Sequence, residues 1–453
     1  MTIRKLCLAA IVAPLILCTA TSGQTLAAVI GQQTTPPAAA APSAQGAPVP
    51  LTQAQAEAIA LKNNPQITIG RLRALVAQQF VREARSALMP TANLSLTAVD
   101  SNPGSRMSAG FLNNPILFPR AAGGAGVSQL VTDFGRSTNL LSSAKFGAQA
   151  EDENAAATRA DIILAVDQAF YNSLETKALV TVADETVNAR QTVVDKVQAL
   201  ANAKLKSDLD LSFANVDLAR SKLLLLESQN NYETALAGLS AILGYSDEQN
   251  FQLVDENKPA SPPVADVAPL IQQAMQQRPE IKALESQVES AQKFGSAEHD
   301  LLRPTVSALG VVGQAPVRDD HIPSWYGAVG VNINIPVFNG FLYNARAKAA
   351  DLETEVQRQK LIDARDNIAR DVRSAWEDSR RAYERLSVTQ QLREQANLGL
   401  DLAQARYNLG LGSIVEFTQA ELQKTEADIA DADAQYQYRL TVIVLAYTIA
   451  SPK

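Results

Sequence analysis

Residues 148–237 contain neither glycine nor proline, and no proline occurs between residues 120 and 258. Glycine costs a helix interior about 1 kcal/mol and proline about 3, so about ninety residues free of both specify very long helix. Within this run Val180, Ala183, Val187, Val194, Val197 and Ala201 alternate at spacings of three and four, with Arg190 the one polar occupant. That pattern is the seam of a coiled coil. A second run follows, with no proline between residues 337 and 451 and no glycine between 341 and 398. At 1.5 Å per residue a helix of about 65 residues is roughly 100 Å long, a rod for which a compact enzyme has no use.

The first 28 residues read as an export signal: Arg4 and Lys5 precede an apolar run, and Ala27 and Ala28 offer a cleavage site. Both cysteines, Cys7 and Cys18, lie inside it, so the mature chain is expected to lack disulfides and thiol chemistry. Cys18 follows Leu17 rather than the small residue that lipidation favours. Loss of Arg4 and Lys5 takes the formal charge from -7 to -9, which disfavours a nucleic-acid partner. Residues 29–50, rich in Ala, Pro, Gln and Ser, read as an extended linker.

Structure is expected from Leu51. Thr52 and Gln55 form a capping box for a helix interrupted at Asn64 and Pro65 and ended at Pro90. Leu94, Leu96 and Ala98 then alternate with Asn93, Ser95 and Thr97 as a half-polar strand. Residues 101–124 read as a loop and 125–132 as a weaker strand, after which Asp133, Phe134 and Gly135 open the first rod. The order then recurs. Arg278 and Pro279 interrupt a helix, Pro304 ends it, Val306 and Ala308 mark a strand, a loop holds His321 and Pro323, and Val329, Val331, Ile333 and Ile335 alternate with Gly330, Asn332 and Asn334. Pro65 and Pro279 stand 214 apart, as do Pro90 and Pro304; Asp133 and Asn339 stand 206 apart, as do Ser207 and Ser413.

Two constant offsets on either side of one loop imply tandem repeats, 51–245 and 266–450, joined by a linker at 246–265. The expected fold is mainly α with a small β part: in each repeat a helix pair, a β-hairpin, and a long helix that turns back on itself. The returns fall near residues 203–207 and 409–413. Gly410 and Gly412 serve the second, whereas the first has Lys204 and Lys206 and either turns without glycine or passes through as one helix.

After the signal no apolar run approaches the 18 or so residues of a membrane helix; the longest, 442–450, is about half that. Four half-polar strands offer another route, since closed barrels are the alternative to helices in hydrocarbon. Four strands cannot close, because barrels begin near eight, so chains would have to pool them. Trp325, Tyr326 and Phe338 near the strand ends suit an aromatic girdle. Two small hairpins capping a helical stalk would give a similar pattern.

N-N-P-Q-I at 63–67 is answered by Q-R-P-E-I at 277–281, and Q-L-V-T-D-F-G-R at 129–136 by I-P-V-F-N-G-F at 335–341. With R-Y-N-L-G-L-G-S-I-V-E-F at 406–417, their order over 51–450 resembles the outer-membrane efflux protein family, the TolC-like exit ducts. The resemblance implies a homotrimer whose chains each give four strands to one twelve-stranded transmembrane barrel in the outer membrane of a Gram-negative-type cell. Long helices would extend it through the periplasm to an adaptor (membrane fusion) protein and an inner-membrane transporter. Such ducts are passive conduits for efflux or type I secretion, and no cofactor is implied. The family closes its periplasmic mouth with tyrosine and acidic residues, which here would be Tyr407, Glu416 and Gln419 from the second turn and Asp210 from the first. Gln419 stands where the family's best-known member has an acid, and Gly412 where it has an arginine. A ring of Glu416 carboxylates would repel itself and select for cations. Adaptor contacts are expected on Lys204, Leu205, Lys206 and Ser207 and on Leu409, Gly410, Leu411, Gly412 and Ser413.

Catalytic chemistry has little to build on. His299 and His321 have no metal-ligating cluster at spacing, and Gly123, Gly124 and Gly126 complete no phosphate-binding loop. Asp208 and Asp210 beside a turn read as helix caps. The rival readings are a periplasmic coiled-coil scaffold or adaptor without a pore, and an exported enzyme; an adaptor would carry one helical hairpin rather than two.

Overall fold

The computed structural model describes residues 49–100, 119–247, 249, 251–256, 260–318 and 323–450. The export signal, nearly all of the 29–50 linker, His321 and Pro259 lie outside the described residues. From residue 50 onward the chain is a single compact unit.

A three-residue strand, Val49–Leu51, pairs with Phe251–Leu253 of the expected 246–265 linker in a small two-stranded sheet, and two helices, α1 (Gln53–Asn63) and α2 (Pro65–Ser86), follow it. The capping box is present: the Gln55 amide donates to Thr52 Oγ1 at 3.3 Å and the Thr52 amide to Gln55 Oε1 at 3.1 Å. Asn64 ends α1 and caps α2, its Oδ1 accepting from the Gln66 amide at 2.9 Å with Pro65 at the first helical position. Strands β1 (Thr91–Val99) and β2 (Arg120–Thr132) follow. Then come α3 (Arg136–Asn202), of 67 residues, and α4 (Asp208–Ile242), of 35. Helices α5 (Ala268–Gln277) and α6 (Pro279–His299), strands β3 (Thr305–Val317) and β4 (Trp325–Asn334), and helices α7 (Leu342–Asn408) and α8 (Ile414–Thr448) repeat that order. Helices α7 and α8 are again 67 and 35 residues long.

Both rods start from a left-handed bend, at Phe134 and Gly135 in one half and at Gly340 and Phe341 in the other. The Asp133 carboxylate accepts from the Ser137 amide at 2.7 Å, satisfying an N-terminal donor of α3. The expected seam faces inward. Ala183, Val194 and Val197 are buried, and so is Arg190. Two core clusters sit where short helices meet long ones, and the same separations recur in them. Ala60, Val166, Phe170 and Leu243 in the first have counterparts Ala274, Val372, Trp376 and Ile449 in the second.

The four strands form one antiparallel sheet in the order β1-β2-β3-β4, so the two hairpins join edge to edge. Cross-strand partners share a face. One face therefore carries Leu94, Leu96, Val127, Ala308, Val312, Trp325, Val329, Val331 and Ile333 with Gln129 and Gln314, and the other Asn93, Ser95, Thr97, Ser307, Asn332 and Asn334 with Leu309, Val311 and Tyr326. The apolar face is uncovered: Leu94 is 76 % exposed and Val329 93 %. Among the described residues the outer edges of β1 and β4 have no strand partner.

Two expectations change here. Strand β2 begins at Arg120 rather than at residue 125, because Gly123 and Gly124 are pleated positions close to side chains that would otherwise clash. A Cβ on Gly123 would stand 2.8 Å from Leu96 Cδ2, and one on Gly124 would run into the Tyr326 hydroxyl. Tyr326 therefore lies across the glycines on the polar face, on the side opposite Trp325, and is not placed for the girdle; Trp325 and Phe338 are exposed, 68 % and 77 %. Gly313→Ala is expected to destabilise the sheet by about 1–3 kcal/mol in urea unfolding. Tyr326→Ala should relieve Gly124→Ala more fully than Gly313→Ala, because a Cβ on Gly313 still meets the Gly123 carbonyl oxygen at 2.6 Å. Equal rescue of both would refute this packing.

Candidate functional site

The hairpin tips, α3–α4 and α7–α8, carry the residues that the sequence singles out. Both turns use the same hydrogen bonds. The Leu205 and Lys206 amides donate to the Leu200 carbonyl at 2.9 and 3.3 Å, and the Leu411 and Gly412 amides to the Arg406 carbonyl at 2.9 and 3.2 Å. The first rod thus does turn, with Lys204 in the left-handed region (φ 58°) where the second uses Gly410 (φ 74°). A non-glycine residue there costs about 1–2 kcal/mol, a strain that the surrounding turn must hold.

Ser207 and Ser413 start the return helices. The Asp210 amide donates to Ser207 Oγ at 3.1 Å and the Glu416 amide to Ser413 Oγ at 3.1 Å. Asp210 closes its box by accepting from the Ser207 amide at 3.3 Å. Glu416 instead pairs with the Arg406 Nε at 3.1 Å, both side chains about half exposed. Within one chain the Glu416 carboxylate therefore has the Arg406 guanidinium beside it as a counter-charge, which the sequence reading did not include. Gln419 is exposed. Leu205, Leu409 and Leu411 stand in solvent at the apex, 71 %, 74 % and 69 % exposed.

Tyr407 is buried. Its ring stacks on Phe417 at 5.4 Å and 8°, in a cluster with Val197 and Ile414 that draws on both hairpins. The Lys206 Nζ of the first hairpin sits 3.9 Å from the ring centroid. Burial raises the Tyr407 pKa, and the Asp210 charge adds to the rise. At the next residue Lys196 Nζ donates to Asn408 Oδ1 at 2.7 Å, a second bond between hairpins. The structure thus brings Tyr407, Lys206 and Asp210 together.

Sequence reading missed the polar contacts between α3 and α8. Arg190 pairs with Glu421 where both side chains are buried. Burial raises the Glu421 carboxyl to about 7, against the Arg190 charge and with a further rise from Asp217. Glu175 is also raised to about 7, first by burial and then by the Asp433 carboxylate beside it, while Gln437 Nε2 donates to it at 3.3 Å. Arg190 in an apolar seam was the signal for the first pair, but nothing in a linear pattern points to a partner 231 residues on. His299 Nε2 lies 3.0 Å from Asp351 Oδ1, both about half exposed. Among the described residues no group of three or more side chains could hold a metal ion, and no helix is long and apolar enough to cross a membrane.

The sequence matches the outer membrane efflux protein family over residues 58–245 and 270–449. It is 22% identical to the outer membrane protein TolC of Escherichia coli (strain K12) over 397 residues, covering 83% of this chain and 77% of that protein. It is 27% identical to protein CyaE of Bordetella pertussis over 307 residues, covering 62% of this chain and 61% of that protein. The fold superposes on a crystal structure of CusC with a TM-score of 0.78 at 19% identity, covering 90% of this chain and 95% of that one.

Proposed function

This chain belongs to the outer membrane efflux protein family, and we propose that three copies of it form an exit duct that passively carries substrates out of the cell. In this reading a periplasmic adaptor and an inner-membrane transporter feed the duct, in a tripartite efflux or type I secretion system, and the chain catalyses no reaction. Its place is the outer membrane, with the helical rods extending into the periplasm.

The observation that carries the reading is a four-stranded sheet with two open edges and an uncovered apolar face. Unpaired strand edges cost several kcal/mol per group in hydrocarbon, so the edges call for strands from other copies. Three copies supply twelve, enough to close a barrel with its apolar face to lipid and its Asn and Ser face to the lumen. The halves 51–245 and 266–450 are read as duplicated repeats about the 246–265 linker, behind a leader at 1–28 and a spacer at 29–50.

The helices support the same closure. Among the four hairpin helices the packing order is α4-α3-α8-α7; the N-terminal half of α7 also packs on α5 and α6, so the outer sides of α4 and of the tip-proximal half of α7 are left as edges. Each carries an exposed apolar stripe: Leu209, Phe213, Val216 and Leu223 on α4, Val388, Leu392, Leu398 and Leu402 on α7. Such a pair joins head to tail from copy to copy and closes into a ring. Helix α4 begins and α7 ends at a tip, so Leu223 and Leu392 stand at about the same height above it. In the ring Tyr407, Asp210, Glu416 and Gln419 gather at the periplasmic mouth, and the adaptor docks on the turns through Leu205 and Leu411.

Cysteines at Leu223 and Leu392 are expected to crosslink detergent-solubilised protein into a covalent trimer, and the purified trimer should conduct ions across a planar bilayer. A water-soluble monomer that forms no channel would overturn the reading. A conducting trimer without that crosslink would remove only the α4–α7 pairing.

A further inference from the structure

Helix α6 packs on both α3 and α7, and the three helices border a groove of about 340 Å³, within the size range of small-ligand sites. Small side chains make the space. Gly147 and Ala150 on α3, Ala291 on α6 and Ala350 on α7 stand at its walls, where larger residues would close it.

The groove is rich in hydrogen-bond acceptors and short of free donors. Ser290 Oγ donates to the Ser143 carbonyl at 2.8 Å, which leaves the Ser143 hydroxyl to donate to Ser290 Oγ at 3.1 Å, so both protons are used within the wall. Gln357 Nε2 donates to Glu353 Oε1 at 2.7 Å, while the buried Gln357 Oε1 finds no donor. Glu151 accepts from Asn154 Nδ2 at 3.3 Å, and among the described residues neither Glu151 nor Glu353 forms an ion pair. Phe294, 43 % exposed, adds an aromatic surface to the same groove.

Two carboxylates, an orphaned acceptor and an aromatic ring complement a flat organic cation with N–H donors. An anion would be repelled, and a neutral apolar molecule would cover the carboxylates without pairing them. A bare metal ion would make no use of Phe294, and the described residues offer it no set of three ligands.

We propose that this groove binds a small aromatic cation carrying N–H groups, an amidinium or amino-acridinium by class, with Glu151 and Glu353 holding the charge and Phe294 the ring. All its walls come from one chain, so the site is complete without a partner copy and does not depend on the duct reading.

The probe is proflavine, a fluorescent diamino-acridine cation, titrated into the detergent-solubilised full chain and read by anisotropy over a detergent blank. Wild type is expected to bind it. Glu151→Gln and Glu353→Gln should each weaken binding about tenfold, the loss of one charge-assisted hydrogen bond. Glu289→Gln, at an exposed position of α6 outside the groove, should leave binding unchanged. Ala291→Leu fills the space without touching a charge and is expected to abolish binding. Acridine, neutral at mildly alkaline pH and without amino groups, should compete at least about tenfold more weakly than unlabelled aminoacridines.

No binding by the wild type, wild-type affinity in both Glu151→Gln and Glu353→Gln, or binding that survives Ala291→Leu would overturn the site. The titration needs no bilayer. A chain that binds proflavine but forms no channel would overturn the duct reading alone, and a conducting trimer that binds none would overturn only the groove.

Discussion

Val331→Arg is expected to abolish assembly of the proposed barrel, while Asn332→Arg, one residue along the same strand, leaves it intact. Val331 pairs with Ala308, on the face shared with Leu94, Val127 and Val329. Asn332 pairs with Ser307, on the face shared with Asn93 and Ser95. Arginine on the lipid face near the bilayer midplane costs about 2–4 kcal/mol, and a trimer incurs that cost three times over. On the lumen face the same guanidinium stays in water and alters ion selectivity instead. The measurement is the yield of SDS-resistant trimer after folding into lipid vesicles. Equal yields from the two variants would mean that the faces are misassigned or that the sheet never meets lipid.

Glu421→Ala is expected to loosen the contact between α3 and α8 by about 3–5 kcal/mol, because it leaves the Arg190 guanidinium buried without a counter-charge. Arg190→Leu should cost less. A carboxyl already raised to about 7 by burial can take up a proton and become neutral, whereas a guanidinium cannot lose one. Replacing both by leucine is expected to restore most of the stability, as happens when buried ion pairs give way to packed apolar groups. The order of the three variants, read by urea unfolding in detergent, is the test; an Arg190→Leu cost equal to that of Glu421→Ala would refute it.

The same carboxyls set the sign of a pH dependence. A folded-state pKa raised from the usual carboxylate value means that the fold prefers the protonated form. The stability this contributes is fully present below the usual value and is lost as pH rises through about 7. The wild-type seam should therefore weaken from acid to neutral pH, and Glu421→Gln should remove part of that slope.

Periodic features were legible in the sequence. A glycine- and proline-free run with a three-four apolar spacing has one conformational outcome, and the Thr52–Gln55 box, the Asn64–Pro65 break and the alternation at 329–335 are settled by local sterics and hydrogen bonding. Strand β2 was legible only in its second half. Its glycines signal a loop until Leu96 and Tyr326 are seen packed against them, and those side chains come from β1 and β4.

At the tips, chain order carried the turns, the capping serines and Asp210, since each is a contact within a few residues. It did not carry what those side chains meet. Tyr407 lies under Lys206, Glu416 beside Arg406 and Arg190 against Glu421. Two of these contacts span about two hundred residues, and their partners follow from the angle and height at which two rods pack. Repetition, helix length and strand polarity are properties of near neighbours along the chain, so the sequence by itself determined them. Which charge lands on which ring, and whether a seam arginine finds an acid, was decided only when the hairpins came together, because desolvation and Coulomb attraction act through space.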